Sequence, residues 1–180
     1  GWKEYTYRFK KKSPTDSRDF GKPKWQGDSL HGKRLLIVSE QGFGDNIQFV
    51  RYVQMVRDLG GYVILECKRE LFNLFKHLAD EVILKEKESI PKVKYDFYIH
   101  LMDLPRIFKT NLNNIPNKVP YLKSVNKLSD EFKINLKGNF NVGIVWKGNS
   151  MQENDKNRSI KPYYFKKLKI SKVNLFSLQL

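Results

Sequence analysis

The chain has 180 residues, 40% apolar and 13% aromatic, a composition that supports a packed core and excludes wholesale disorder. Its formal net charge of +15, from 26 lysines and 8 arginines against 19 acidic residues, favours polyanionic company: nucleic acid, anionic lipid or phosphate-bearing ligands. No apolar run approaches the roughly 20 residues that cross a bilayer and "GWKEYTYRFKKK" is not organised as a signal peptide, so the expected compartment is the cytoplasm.

Residues 1–33 form the first segment. Trp2, Tyr5 and Phe9 fall at i, i+3 and i+7, the stripe of a short amphipathic helix. "SPTDSRDFGKPKWQGDSLHGK" then reads as a turn-rich, weakly apolar linker. The segment is expected to be the end of a preceding helical region followed by that linker.

From Arg34 the pattern alternates between strand and helix. "RLLIVS" is a leucine and β-branched run suited to a strand buried on both faces of a parallel sheet. Asp45 is expected to cap a helix whose Phe49, Val53 and Val56 share a face, with Gly60 and Gly61 ending it. "YVILEC" (62–67) reads as a strand, "RELFNLFKHLA" (69–79) as a helix, and "EVILK" (81–85) and "YDFYIHL" (95–101) as further strands. Phe72, Phe75, Phe97 and Tyr98 are core residues in this scheme. This βαβαβ order predicts an α/β fold, a doubly wound parallel sheet with right-handed crossovers, over 34–136. The lone cysteine, Cys67, lies in an apolar run and is expected to be a buried structural thiol. His31, His77 and His100 are scattered, without cysteine or carboxylate at ligand spacing, so no metal is expected.

A second cycle occupies 137–180. "NVGIVWKGN" (141–149) reads as a buried strand, "SMQENDKNRSIK" as a polar loop, "PYYFKKLK" as a helix opened by Pro162, and "VNLFSLQ" (173–179) as a strand. Two strands and one helix do not close a domain, so this part either joins the first sheet or opens an incomplete second domain, and the second arrangement is the one expected.

Two loops follow strand carboxyl ends, where ligands bind in such sheets. "EQGFGDN" places Gln41, Gly42, Gly44 and Asn46 around Asp45. It is neither a dinucleotide fingerprint, since Ile47 stands where the third glycine belongs, nor a phosphate-binding loop ending in Gly-Lys-Ser/Thr. Asp45 repels a phosphate there but suits the deprotonation of a hydroxyl. The alternative is that Asp45 only caps the helix while both glycines only let the chain turn. In the second loop Lys147, Gly148, Asn149, Asn157, Arg158 and Ser159 supply donors suited to a diphosphate; the alternative is a solvated polar loop. No basic helix with base-reading spacing and no aromatic stacking motif is present, so sequence-specific nucleic-acid binding is not expected.

Together these residues resemble bacterial proteins in which tetratricopeptide repeats lead into a glycosyltransferase-like domain related to the heptosyltransferases of glycosyltransferase family 9. "GWKEYTYRF" is similar to the tail of the repeat region. "PKWQGDSLHGKRLLIVSEQGFGDNIQFVRY" is similar to the linker, first strand and glycine-aspartate loop; "VPYL" and "VGIVWKGNSMQENDKNRSI" to the hinge and first donor-side loop. The resemblance implies a GT-B architecture of two Rossmann-like halves facing across a cleft, acceptor on the first and nucleotide diphosphate sugar on the second. It implies inverting transfer without a metal. It also implies that Asp45 is the base activating an acceptor hydroxyl, and that Lys147, Gly148, Asn149, Asn157, Arg158 and Ser159 face the donor diphosphate. Acceptors in this scheme are glycan, lipid-linked or protein hydroxyls, with protein partners reached through upstream repeats. The downstream glycine-rich loop and acidic or histidine cluster of the family are not in the sequence, so a fragment with little activity alone is expected. The rival expectations are a non-catalytic interaction module on a degenerate α/β platform and nonspecific nucleic-acid binding through charge.

Overall fold

The computed structural model describes residues 1–11, 16–86, 89–123, 139–148, 150 and 154–179. Two compact units divide the chain, Gly1–Val125 and Asn126–Leu180.

In the first unit, four strands pair in parallel in the order β3-β2-β1-β4: β1 Arg34–Val38, β2 Tyr62–Cys67, β3 Glu81–Leu84 and β4 Phe97–His100. The fold is α/β, a parallel sheet with flanking helices. Strand alternation divides the apolar residues between two faces. Leu35, Ile37, Val63, Leu65, Cys67 and Ile99 join one buried cluster. They meet the helices α2 (Phe43–Phe49), α3 (Tyr52–Arg57) and α4 (Arg69–Phe75) through Phe49, Val53, Val56, Leu71 and Phe75. Leu36, Val38 and Ile64 face the other way, against Phe20, Val93 and Tyr95. That second face is therefore covered by irregular chain rather than by helices, with the Tyr95 hydroxyl donating to the Phe20 carbonyl at 2.9 Å.

The described residues of 1–33 pack into this same unit. The helix α1 (Trp2–Tyr5) continues as a 3-10 turn over Thr6–Lys10, and Trp2 sets its ring edge-on to Phe49 at 5.8 Å. Further along, Trp25 N–H donates to the Tyr98 carbonyl at 2.9 Å, and Tyr98 N–H donates to that of Pro23 at 3.3 Å. This short parallel bridge covers an edge of β4 that would otherwise present unpaired backbone. Trp25 and Leu30 are fully buried beyond it.

Several boundaries depart from the sequence expectation for local reasons. The first helical stretch starts at Phe43 and breaks between Phe49 and Tyr52. There Arg51 Nε donates to the Gln48 carbonyl at 2.9 Å, taking an acceptor from the helical ladder. The expected helix 69–79 ends at Phe75, because Asp80 must meet β2: its carboxylate accepts from Val63 N–H at 2.8 Å. Tyr95 lies before β4 rather than in it. After β4, a 3-10 turn over Leu101–Asp103 leads into α5 (Leu104–Ile107).

The second unit contains a parallel pair, β5 (Phe140–Ile144) and β6 (Val173–Ser177). The strand expected to reach residue 149 ends at Ile144, since Trp146 and Lys147 N–H both turn to Gln179 Oε1 at 3.3 and 3.0 Å. Pro162–Leu168 forms 3-10 turns instead of an α-helix.

Candidate functional site

The sheet reverses its direction of winding beside β1: β2 and β3 lie on one side and β4 on the other. The carboxyl ends of β1 and β4 are where an open sheet of this kind receives a ligand. Here that point holds a guanidinium from the N-terminal segment. Arg8 Nε donates to Glu40 Oε2 at 2.8 Å and Nη2 to Oε1 at 2.5 Å, while Nη1 lies 2.8 Å from Asp103 Oδ1. Glu40 follows β1 and Asp103 follows β4, so one side chain bridges both strand ends. Lys24 pairs with the second oxygen of Asp103, and Met102 N–H reaches Glu40 at 3.3 Å. Arg8 also lies over the rings of Tyr5 and Phe9, at 4.5 and 4.1 Å.

Burial opposes the charges of Asp103 and Arg8, yet their pairings win. Desolvation raises Asp103, but Lys24 and Arg8 outweigh it and hold the carboxyl below the usual range. Desolvation likewise opposes charge on Arg8, and Glu40 with Asp103 reverses the balance and raises it. Burial raises the Tyr5 phenol, and the carboxylates of Glu40, Asp45 and Asp103 add to that against Arg8.

A second buried group lies on the opposite sheet face. Glu66, Val38 and His100 form one row across β2, β1 and β4. Arg18 meets its Glu66, donating to Oε1 and Oε2 at 2.7 and 2.8 Å, and also donates to Asp16 Oδ2 at 2.7 Å. Lys85 adds a cation 3.5 Å from Asp16. Burial raises Asp16, but His100 and Arg18 beside it hold the carboxyl far below the usual range. The His100 Nε2 to Asp16 separation is 3.7 Å, longer than a hydrogen bond, and neither ring nitrogen has a hydrogen-bond partner among the described residues.

The β1–α2 loop completes this end of the unit. Lys85 Nζ donates to the Ser39 carbonyl at 2.9 Å and Lys68 Nζ to that of Gln41 at 2.7 Å. Gln41 takes a positive φ of 63°, and Asn46 Nδ2 ties the loop by donating to the carbonyls of Glu40 and Gly42 at 2.8 and 2.7 Å. Asp45 is not the helix cap. Extended Gly42 holds that position, and Asp45 reaches back from the first turn to accept from Gly42 N–H at 3.0 Å. A side chain at Gly42 would come within 3.2 Å of that carboxylate. Gly44 differs: it has no positive φ and nothing within 4 Å of where a Cβ would stand. Ser39 Oγ and Asn46 Oδ1 are buried without a partner among the described residues.

The second unit gathers some of its expected donors. Gly148 N–H donates to Ser159 Oγ at 3.4 Å, and Ser159 Oγ donates to Asp155 Oδ1 at 2.7 Å. Asn157 bonds to Asn154 at 2.6 Å, and Lys147 and Arg158 are exposed. Asp155, whose carboxylate accepts from the Ser159 hydroxyl, is an acidic residue at the centre of this loop that no sequence motif marks. Asn149 lies outside the described residues. Among the described residues, no group of three or more histidines, cysteines and carboxylates is placed to hold a metal ion.

Arg8, Glu40, Asp103, Arg18 and Glu66 went unnoticed in the sequence. The signal that could have found Glu40 and Glu66 is a carboxylate at or near the end of an otherwise apolar run, as in "LLIVSE" and "YVILEC"; nothing local marks Arg8 or Arg18.

No protein-family model matches the chain, and no solved structure does. Over 97 residues it is 36% identical to Protein FlbA of Caulobacter vibrioides, a stretch covering 50% of this chain and 16% of that protein. The chain thus spans about a sixth of the length of the curated relative it matches.

Proposed function

We propose that the first unit is the acceptor side of a Rossmann-like, GT-B-type glycosyltransferase that transfers a sugar from a nucleotide diphosphate donor to a hydroxyl. The observation that carries this reading is Gly44. Neither its backbone angles nor its surroundings demand glycine, which leaves open, bare backbone beside Asp45 where a ligand can approach closely. Asp45, fixed through Gly42 N–H, would take the proton of the acceptor hydroxyl as that oxygen attacks the anomeric carbon. The bond to the diphosphate breaks on the opposite face, which inverts the centre. Lys147 and Arg158, both exposed, would meet the charge developing on the leaving diphosphate, with Gly148, Asn149, Asn157 and Ser159 completing the donor loop. Asp155 is the feature in that loop that opposes an anion.

One observation favours the rival, a non-catalytic interaction module: Arg8 fills the strand-end position where a ligand would sit. A screen of nucleotide diphosphate sugars for binding and turnover by the intact protein separates the two. Consumption of one donor with sugar appearing on an acceptor supports transfer; failure of every donor to bind supports the module.

A further inference from the structure

The helix layer of the first unit holds a cavity of about 480 Å³, within the range of small-molecule pockets and separate from Asp45 and the Arg8 group. Val50 and Val53 form its apolar floor with Leu74 of α4 and Leu78 of the turn that follows it. Segment 116–123 forms the outer wall, held by Arg51: Nη1 donates to the Pro116 carbonyl at 2.8 Å, and the guanidinium lies 4.5 Å from the Tyr121 ring centre. The charged lining is Arg51, Lys118 and Lys123, with His77 alongside, and among the described residues no carboxylate lines the cavity. This contrasts with the buried cations of the same unit, Arg8 and Arg18, each of which faces two carboxylates.

An apolar floor under a rim of like charge selects a ligand with both characters. We propose that this cavity binds a small amphipathic anion, an alkyl chain ending in a phosphate. The chain would lie on Val53, Leu74 and Leu78, and the phosphate would meet Lys118, Lys123 and the exposed side of Arg51.

The test is calorimetric titration of the full chain with decyl phosphate, kept below its micelle concentration, beside inorganic phosphate and decanol. Saturable one-to-one binding is expected for decyl phosphate, with both controls much weaker. Lys118 and Lys123 are exposed, so a K118E/K123E variant should keep the wild-type circular dichroism spectrum and weaken binding by about tenfold or more. A Gln54→Trp variant, filling the cavity from an exposed helical position, should abolish binding. The proposal is overturned if decyl phosphate does not saturate, if decanol binds equally well, or if both variants bind like the wild type.

Discussion

Arg8 and Glu40 stand 32 positions apart and meet through two parallel hydrogen bonds of 2.8 and 2.5 Å, both side chains being buried. The N-terminal segment is thereby tied to the loop that carries Asp45. The pair follows from topology, because Glu40 closes β1 at the point where the sheet changes winding direction.

Arg8→Met should destabilise the first unit by about 3–5 kcal/mol, since it leaves Glu40 and Asp103 buried with fewer cations. Adding Glu40→Gln should recover part of that loss. Chemical denaturation of both single variants and the double variant measures the coupling, and strictly additive costs would show that the pair is not an energetic unit.

Acid should loosen the same region. Asp16 and Asp103 are both held below the ordinary carboxylate range in the folded state, against roughly 3.9 in the unfolded chain. Their stabilisation is therefore complete above about pH 5 and is lost as pH falls through about 4 toward the folded values. Urea midpoints should be level from pH 6 to 5 and drop steeply from pH 4 to 3, less steeply in Asp103→Asn. A midpoint that stays level down to pH 3 contradicts this assignment.

Burial, with some help from Glu66, pushes the Cys67 thiol up to about 12, and the side chain has no exposed surface. A maleimide reagent at neutral pH should leave the native protein unlabelled and react fully in denaturant. Rapid labelling of the native chain would show that β2 opens locally.

Gly61 lies against Leu30, where an added Cβ would stand 2.6 Å from that residue's Cβ. Gly61→Ala should cost about 1–3 kcal/mol through overpacking. Thermal denaturation checks it, and an unchanged melting temperature would mean that the 28–32 turn moves aside freely.

The strands of the first sheet were legible because buried parallel strands write continuous apolar runs, as "RLLIV" and "YVILEC" do, and the half-buried edge strand "EVIL" keeps a shorter run of the same kind. Cys67 was legible for the same reason. The role of residues 1–33 was not. Arg8, Asp16 and Arg18 act through pairings with residues far along the chain, and such pairs leave no local period. Asp45 was placed one turn early because aspartate is a common cap; extended Gly42 took that position, which a glycine pattern alone does not reveal. The 3-10 turns over Pro162–Leu168 were hidden because proline opens an α-helix and a 3-10 turn equally well.

The most direct test of the proposed function compares the intact protein with its Asp45→Asn variant, using whichever nucleotide sugar the donor screen identifies. The expected result is equal donor binding by both forms, unchanged folding, and sugar transfer slower by about 10²–10⁴-fold in the variant. Transfer at the wild-type rate would contradict the account and leave Asp45 as a residue that only pins its own loop.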